Sequence, residues 1–459
     1  MIDGIIIVIY LILILLVGML ASRNLKTIDD FAISNVKYGK GVIFITMCCS
    51  FLGGGFSFGN ATEVFKNGIG NIIALFGFSI GQIFLGKYIA SKIEDYEGCI
   101  STGEVLGRVY GKKIRIITGG LSSIICAGIL GAQVSVMGTI FETFMGIPST
   151  LGITIGFGII LIYSTMGGIK ADVITDIIQF VVLMIGMPIL FIYGINSAGG
   201  IKNILTTIPP EYFNPVNGKS ITYLLSMFFT LMLGEMLVPP YVQRLLMGKS
   251  AKETSKATVL SGYASIFFFI ITGTMGLVAY TIEPTMDANL AMTGIIKLVL
   301  PIGLSGVIIS AMMSIVLSTA DSFLNSAAVG IVNDMYIPIK GDNVPEKKRL
   351  KIVRVTNLII GISSILIAIL IPDLIGILRF AYSFWAPTIL PALLITLLDK
   401  KLNKVALWGG ILSGLIVTTY WTLILNDPYG INGLIVGFLV NVIISLILNI
   451  GSKVRYIRF

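Results

Sequence analysis

Hydroxyls crowd one short stretch of this chain, Ser310 to Tyr336, which reads SAMMSIVLSTADSFLNSAAVGIVNDMY and also carries Asp321, Asn325 and Asp334. On a helix, Ser314, Ser318, Asp321 and Asn325 recur at spacings of four, three and four and form one stripe. Thr319, Ser322 and Ser326 form a second stripe beside it. The flanking residues are apolar, so such a helix needs something polar against it, an ion or a water-filled path.

Three further stretches carry residues that apolar packing does not explain. In CCSFLGGGFSFGNATEVFKNG, the consecutive glycines Gly53 to Gly55 each cost a helix interior about 1 kcal/mol relative to Ala. That load predicts a helix unwound near its middle, with Ser50 and Ser57 as polar flanks; close packing by small residues is the alternative. In TLMLGEMLVPPYVQRLLMGKS, Pro239-Pro240 should interrupt the helix ladder just after Gly234 and Glu235. A mid-span carboxylate costs roughly 2.5 kcal/mol or more unless it faces protein or water. In GGIKADVITDIIQF, a helix dipole accounts for Asp172 in a first turn, while Asp176 lies a turn deeper. A fourth segment, RFAYSFWAPTILPALLITLLDKK, either bends Tyr382 and Trp385 toward a pocket or packs them as aromatics at a span end.

The elements that must position these residues follow from composition. Of 459 residues, 55% are hydrophobic and only 12% charged, and mean hydropathy is +0.96. A soluble domain averages about 25% charged, so the chain reads as an all-α polytopic membrane protein. Spans of about 20 residues give about thirteen: 3–21, 41–65, 70–92, 113–144, 149–167, 172–196, 220–246, 256–282, 302–335, 351–371, 374–398, 403–425 and 431–451. The first run follows Asp3 rather than a basic stretch and reads as a retained span, not a leader. With the N-terminus outside and the C-terminus cytoplasmic, 27 of the 32 Lys and Arg residues fall inside. Lys66, Lys202, Lys219, Lys297 and Arg379 are the five left outside. The net charge of +9 therefore sets topology and is not a nucleic-acid footprint.

Several functions are excluded by residue type. There is no histidine, which removes histidine acid–base chemistry and histidine metal ligands. Cys48, Cys49, Cys99 and Cys126 lack metal-type spacing and read as free thiols. Gly55-Phe56-Ser57-Phe58-Gly59 matches a nucleophile elbow only by chance, without a histidine or a strand-to-helix turn. Gly248-Lys249-Ser250 fails the phosphate-loop pattern because Gln243 stands where its first glycine belongs.

Two interrupted helices, in corresponding places of spans two to six and seven to eleven, point to an inverted-repeat secondary transporter with its site at the midplane. The expected division is 1–40 (extra span and inside loop), 41–196 (first core repeat), 197–219 (outside connection), 220–398 (second core repeat) and 399–459 (two final spans and a short inside tail).

Six segments together resemble the sodium:solute symporter family, which includes bacterial sodium/proline and sodium/galactose transporters. They are IDDFAISN, SFLGGGFSFGN, GGIKADVITDIIQ, YVQRLLMGKS, LSTADSFLNSAAVGIVNDMY and LLDKKLNKVALWGGILSG, in the family's order from about residue 27 to 415. The resemblance implies the five-plus-five fold of the bacterial leucine transporter and a sodium site between its first and eighth core helices. The family's paired hydroxyls fall on Ser318 and Thr319, its backbone carbonyls on Ile315, Cys49 and Leu52, and its aspartate on the ion route on Asp176. Gly53, Phe56, Ser57, Glu235 and Tyr382 are the expected solute-binding residues. A hard cation takes several oxygens, which carbonyls and hydroxyls supply without net charge. Phe56 stands where the sugar transporters have glutamine, and their span-seven tyrosine falls near Gly234, so a sugar is disfavoured. Ile315 stands where some members have a second-site hydroxyl, so one sodium is expected.

The expected activity is sodium-coupled symport of a small organic solute, an amino acid, carboxylate or similar, across the plasma (inner) membrane by alternating access. No catalytic residue and no obligatory protein partner is expected; the lipid bilayer, sodium and the solute are the partners. One charge falling through 100 mV gives about 2.3 kcal/mol and a tenfold gradient about 1.4 more, enough for roughly 400-fold accumulation. Proton coupling through Asp176, Glu235 or Asp321, a transport-like sensor and a channel remain as rival readings.

Overall fold

The structure is a computed structural model that describes residues 2–22, 25–34, 36–341, 343–370, 381–398 and 400–450. Arg23, Arg379, Lys453, Arg455 and Arg458 of the charge tally, and residues 371–380 of the tenth and eleventh expected spans, lie outside the described residues. Among the described residues the chain is helical throughout, with one isolated backbone bridge between Tyr38 and Gly248. Among the described residues, eight helices are long and apolar enough to cross a membrane, or ten if each of two bent pairs forms one span.

The chain opens with α1 (Ile2–Ala21) and the short α2 (Ile28–Ala32). Thr27 and Asp30 close a reciprocal capping box on α2, which satisfies amide groups that a five-residue helix cannot pair internally. Against its partial desolvation, the backbone N–H groups of Lys26 and Thr27 hold the Asp30 carboxyl below its ordinary range. Neighbouring Asp29 is pushed up by burial and by the carboxylates Glu104 and Glu346.

The glycine-loaded segment is two helices, α3 (Lys40–Phe51) and α4 (Gly54–Asn67), bent by 50°. The opening falls at Leu52 and Gly53, and Gly54 and Gly55 already belong to the next helix. α5 (Gly70–Tyr88) and α6 (Lys112–Met145) follow. Next comes α7 (Ser149–Ser197), whose 49 residues would run about 73 Å if straight, more than twice a hydrocarbon core. Gly168 divides it, with φ 51° and ψ −158°. A Cβ there would lie 2.6 Å from the Phe31 carbonyl, so α2 packs against a kink that only glycine permits. This differs from the turn expected between 167 and 172: the chain bends without a loop, and Asp172 and Asp176 both lie buried on the arm beyond the kink.

The second interrupted segment is α8 (Ile221–Gly234) and α9 (Pro239–Leu246), bent by 49°. The prolines do not break a helix. They occupy the first two positions of α9, where an N–H has no intrahelical partner to lose. The break precedes them, with Leu237 at φ 53°. α10 (Ala251–Ile282), α11 (Leu304–Val329), α12 (Glu346–Leu370), α13 (Lys404–Thr419) and α14 (Gly433–Asn449) complete the labelled helices.

α11, the hydroxyl-rich helix, is the centre of the bundle. It packs on α1, α3, α6, α7, α9 and α12, and 94% of its apolar stretch is buried, against 33% for α1. At the lysine- and arginine-rich end, Tyr38 N–H donates to Met247 O at 2.9 Å and Lys249 N–H to Tyr38 O at 2.8 Å. These bonds tie the segment entering α3 to the segment leaving α9, so the two bent pairs are joined where they meet that end.

Candidate functional site

α3 stops at Phe51, so its last carbonyls lack the amides of a continuing turn. Leu52 N–H closes on Cys48 O at 3.2 Å. The next carbonyl, Cys49 O, is met by two hydroxyls of α11: Ser318 Oγ at 2.7 Å and Thr319 Oγ1 at 3.2 Å. The same hydroxyls lie 3.2 and 2.9 Å from Ile315 O, one turn back on their own helix. Four of the five expected sodium ligands thus converge within hydrogen-bonding distance. Leu52 stands at the break and is buried, but the two hydroxyls bond Cys49 and Ile315 rather than Leu52.

The two polar stripes of α11 face different partners. On the first, Ser314 Oγ meets Tyr10 OH at 2.5 Å, and Asn325 Nδ2 donates to both Asp172 oxygens at 2.9 Å and to Asp321 Oδ1 at 3.3 Å. On the second, Ser322 Oγ meets Ser50 Oγ at 2.9 Å, and Ser326 Oγ donates to Gln243 Oε1 at 2.5 Å.

A guanidinium joins the stripes. Arg244, at the end of α9 and fully buried, donates from Nε to Thr46 Oγ1 at 2.9 Å and from Nη2 to Ser50 Oγ at 3.0 Å and Ser322 Oγ at 2.6 Å. Nη2 also stands 3.9 Å from carboxylate oxygens of both Asp172 and Asp176. Asp176 Oδ2 accepts from Thr46 Oγ1 at 2.5 Å. Two buried carboxylates, Asp172 and Asp176, therefore flank one guanidinium, and a third, Asp321, shares the Asn325 amide with Asp172. The backbone carbonyl of Asp176 accepts from Cys49 Sγ at 3.4 Å. Arg244, one of the 27 residues counted as inside charges, is buried in this cluster, and so is Asp172, whose place in the first turn after the kink at Gly168 faces Asn325 and Arg244 rather than water.

Between the two breaks lies a small cleft lined by Gly53, Phe56, Glu235 and Tyr382 of the expected solute residues, together with Gln133 and Thr319. Its free volume of about 10 Å³ is that of one water. A solute enters only if these walls part. Tyr382 OH donates to Glu235 Oε1 at 2.6 Å, and Trp385 Nε1 to Met236 O at 2.9 Å, so the second break is closed by aromatic donors. Phe56 stacks edge-on against Phe78 and Phe269, with ring centres 5.1 and 5.6 Å away. Ser57 is not part of the cleft wall; its hydroxyl turns back 3.0 Å to Gly53 O. Gln133, missed from the sequence, accepts the Gly54 N–H through Oε1 at 2.6 Å and caps the start of α4. A lone amide in the middle of the apolar α6 was the available signal. A Cβ on Gly53 would lie 2.8 Å from that amide oxygen.

Comparison with known proteins follows this geometry. The family model described as "Sodium:solute symporter family" matches residues 31–413. The human high affinity choline transporter 1 is 24% identical over 446 residues, covering 90% of this chain and 76% of that protein. The sodium/pantothenate symporter of Escherichia coli (strain K12) is 24% identical over 384 residues, covering 80% and 79%. The sodium/proline symporter of Staphylococcus aureus is 22% identical over 475 residues, covering 98% and 92%. Among solved structures, the substrate-bound outward-open state of a Na+-coupled sialic acid symporter superposes with a TM-score of 0.85 at 20% identity, covering 100% of this chain and 99% of that one. A nucleobase-cation-symport-1 family transporter in a closed conformation gives 0.61 at 14% identity, covering 91% and 94%. At these identities the structural likeness establishes the fold.

Proposed function

The chain belongs to the sodium:solute symporter family, and from that premise we propose that it carries a small organic solute across the membrane with sodium bound at Ser318, Thr319, Ile315, Cys49 and Leu52. The observation that carries this reading is the meeting of two neighbouring hydroxyls with the Cys49 carbonyl freed by the helix break. When sodium arrives, the Ser318 and Thr319 hydroxyls turn their lone pairs toward it, and the carbonyls complete an uncharged oxygen set. A hydroxyl needs only a rotation to change from donor to ligand. Leu52 completes the set if its carbonyl swings toward the pair, a small adjustment for a residue outside regular helix.

Membership of this family makes the protein a multi-pass membrane transporter rather than an enzyme. The finer reading is about thirteen spans, with two five-span repeats related as in the bacterial leucine transporter and one bent pair in each. The N-terminus lies outside and the C-terminus in the cytoplasm, as the positive-inside rule requires of the loop lysines and arginines. The solute occupies the cleft between the breaks, against Gly53, Phe56, Glu235 and Tyr382. The buried Glu235 favours a solute that bears a cationic group, alone or in a zwitterion. Access alternates as the walls of that cleft part toward one side and then the other. Asp176, held against α3 by Thr46, lies on the ion's route to the basic end.

Uptake into proteoliposomes tests the proposal. Screened organic cations and zwitterions should include a solute whose uptake requires an inward sodium gradient and falls about a hundredfold in Ser318→Ala with Thr319→Ala, roughly the loss of two ion-bound oxygens. Uptake driven equally by a pH gradient without sodium, and unchanged in that variant, would reject it.

A further inference from the structure

Away from the site just described, a cavity of about 450 Å³ opens between the ends of α1 and α12 and the first arm of α7. Its volume is many times that of the central cleft. Leu16, Met19 and Leu20 of α1 form one wall and Thr165 and Met166 of α7 another. Leu16 and Leu20 are 55% and 57% exposed and Met166 40%, so in a membrane these faces meet acyl chains rather than water. The cavity sits at the level where spans end: α1 finishes at Ala21, and α7 kinks at Gly168, two residues past Met166.

Among the described residues, Arg354 of α12 is the one charged residue in the wall and no carboxylate lines the cavity. Its Nη2 donates to Met166 O at 3.2 Å, while its buried Nε–H has no hydrogen-bond partner. An unpaired donor of a guanidinium held at the apolar edge of a bundle is costly unless an anion answers it. The neighbouring turns of α12 carry Lys347, Lys348 and Lys351, which make this end attractive to anions.

The geometry points to a binding site for one anionic phospholipid. Its phosphate sits on the Arg354 guanidinium, where two N–H groups match two phosphate oxygens, and one acyl chain runs along Leu16 and Leu20. An anion without a chain would leave the apolar walls unfilled, and a zwitterionic lipid brings its own cation to the guanidinium. The site is separate from the paired hydroxyls and does not depend on which solute the protein carries.

Native mass spectrometry of the full chain in detergent tests this, with phosphatidylglycerol and phosphatidylcholine of identical chains as probes. The last-retained lipid should be phosphatidylglycerol, held about fivefold more tightly, the effect of one basic residue at a membrane surface. Arg354→Gln should bring its retention down to that of phosphatidylcholine. Leu20→Trp, an exposed position where folding is unaffected, should fill the cavity and reduce retention with the guanidinium intact. Equal retention of the two lipids by the unaltered protein would overturn the site, as would unchanged preference in Arg354→Gln with a native melting temperature. Complete displacement of phosphatidylglycerol by millimolar inorganic phosphate would likewise overturn it, since the site would then be one for the free anion.

Discussion

The two bent helix pairs have nearly the same angle, 50° and 49°, but different causes and different contents. The first opens because glycine at 53 lets the chain pass against Gln133, and it leaves a bare carbonyl, Cys49 O, facing hydroxyls. The second opens at a left-handed Leu237 followed by two prolines that start a new helix. Aromatic donors hold its acceptors: Tyr382 OH bonds Glu235 Oε1 and Trp385 Nε1 the Met236 carbonyl, while Arg244, further along α9, reaches Thr46 and Ser50 of α3 and Ser322 of α11. One break presents a carbonyl and two hydroxyls, the set proposed to hold sodium, while the helix after the other carries a fixed guanidinium into the bundle. Nearly equal bend angles therefore accompany quite different polar surroundings.

The contrast predicts unequal responses to substitution. Arg244→Ala should have the largest effect, because it strands the two buried carboxylates of Asp172 and Asp176. A loss of about 3 to 5 kcal/mol is expected, read as a fall in melting temperature and in yield of folded protein. Arg244→Lys should recover part of it, since the charge returns without the planar fork that reaches Thr46, Ser50 and Ser322 together. Full stability in Arg244→Ala would mean that the buried cluster does not rely on its guanidinium.

Gly53→Ala should come next. Its Cβ would press on the Gln133 amide at 2.8 Å, displacing the cap of Gly54 at a cost of about 2 kcal/mol. Sodium-dependent uptake should drop at least tenfold, because the carbonyl at the end of α3 moves with the break. Pro239→Ala should have the smallest effect, about 0.5 kcal/mol, since that proline opens a helix and its main contribution is to restrain the unfolded chain. If Pro239→Ala impaired stability and uptake as much as Gly53→Ala, the distinction between the two breaks would fail.

Much of this arrangement could be read from residue order. Three adjacent glycines and a Pro-Pro pair in apolar segments mark both bends, although the prolines begin a helix rather than end one. The two stripes marked α11 as a polar helix, and the pairing of Ser318 with Thr319 came from the resemblance to the symporter family. What sequence could not show was burial at a span end. Arg244 lies four residues before Gly248 and five before Lys249, so it reads as one more basic residue entering a loop. In the fold, α9 is only eight residues long and ends within the protein, which carries the guanidinium into the bundle. Asp172 hides its burial for a related reason: the kink at Gly168 needs no loop, so the first turn after it lies inside the bundle. Ser57 has the right chemistry on the right helix, but a serine can bond its own preceding turn, and this one does. Residue type gives the donors and acceptors, and only the packing decides which of them already have partners.

The central claim is that the hydroxyls of Ser318 and Thr319, with the carbonyls around them, hold sodium. The most direct test is the melting temperature of the purified protein in NaCl and in KCl at equal ionic strength, which requires no knowledge of the solute. Sodium at a hundred times its dissociation constant should stabilise the unaltered protein by about 2.7 kcal/mol and raise its melting temperature, while Ser318→Ala with Thr319→Ala should melt at the same temperature in both salts. Equal melting of the unaltered protein in the two salts, or a sodium-dependent rise that persists in the double variant, would contradict the account.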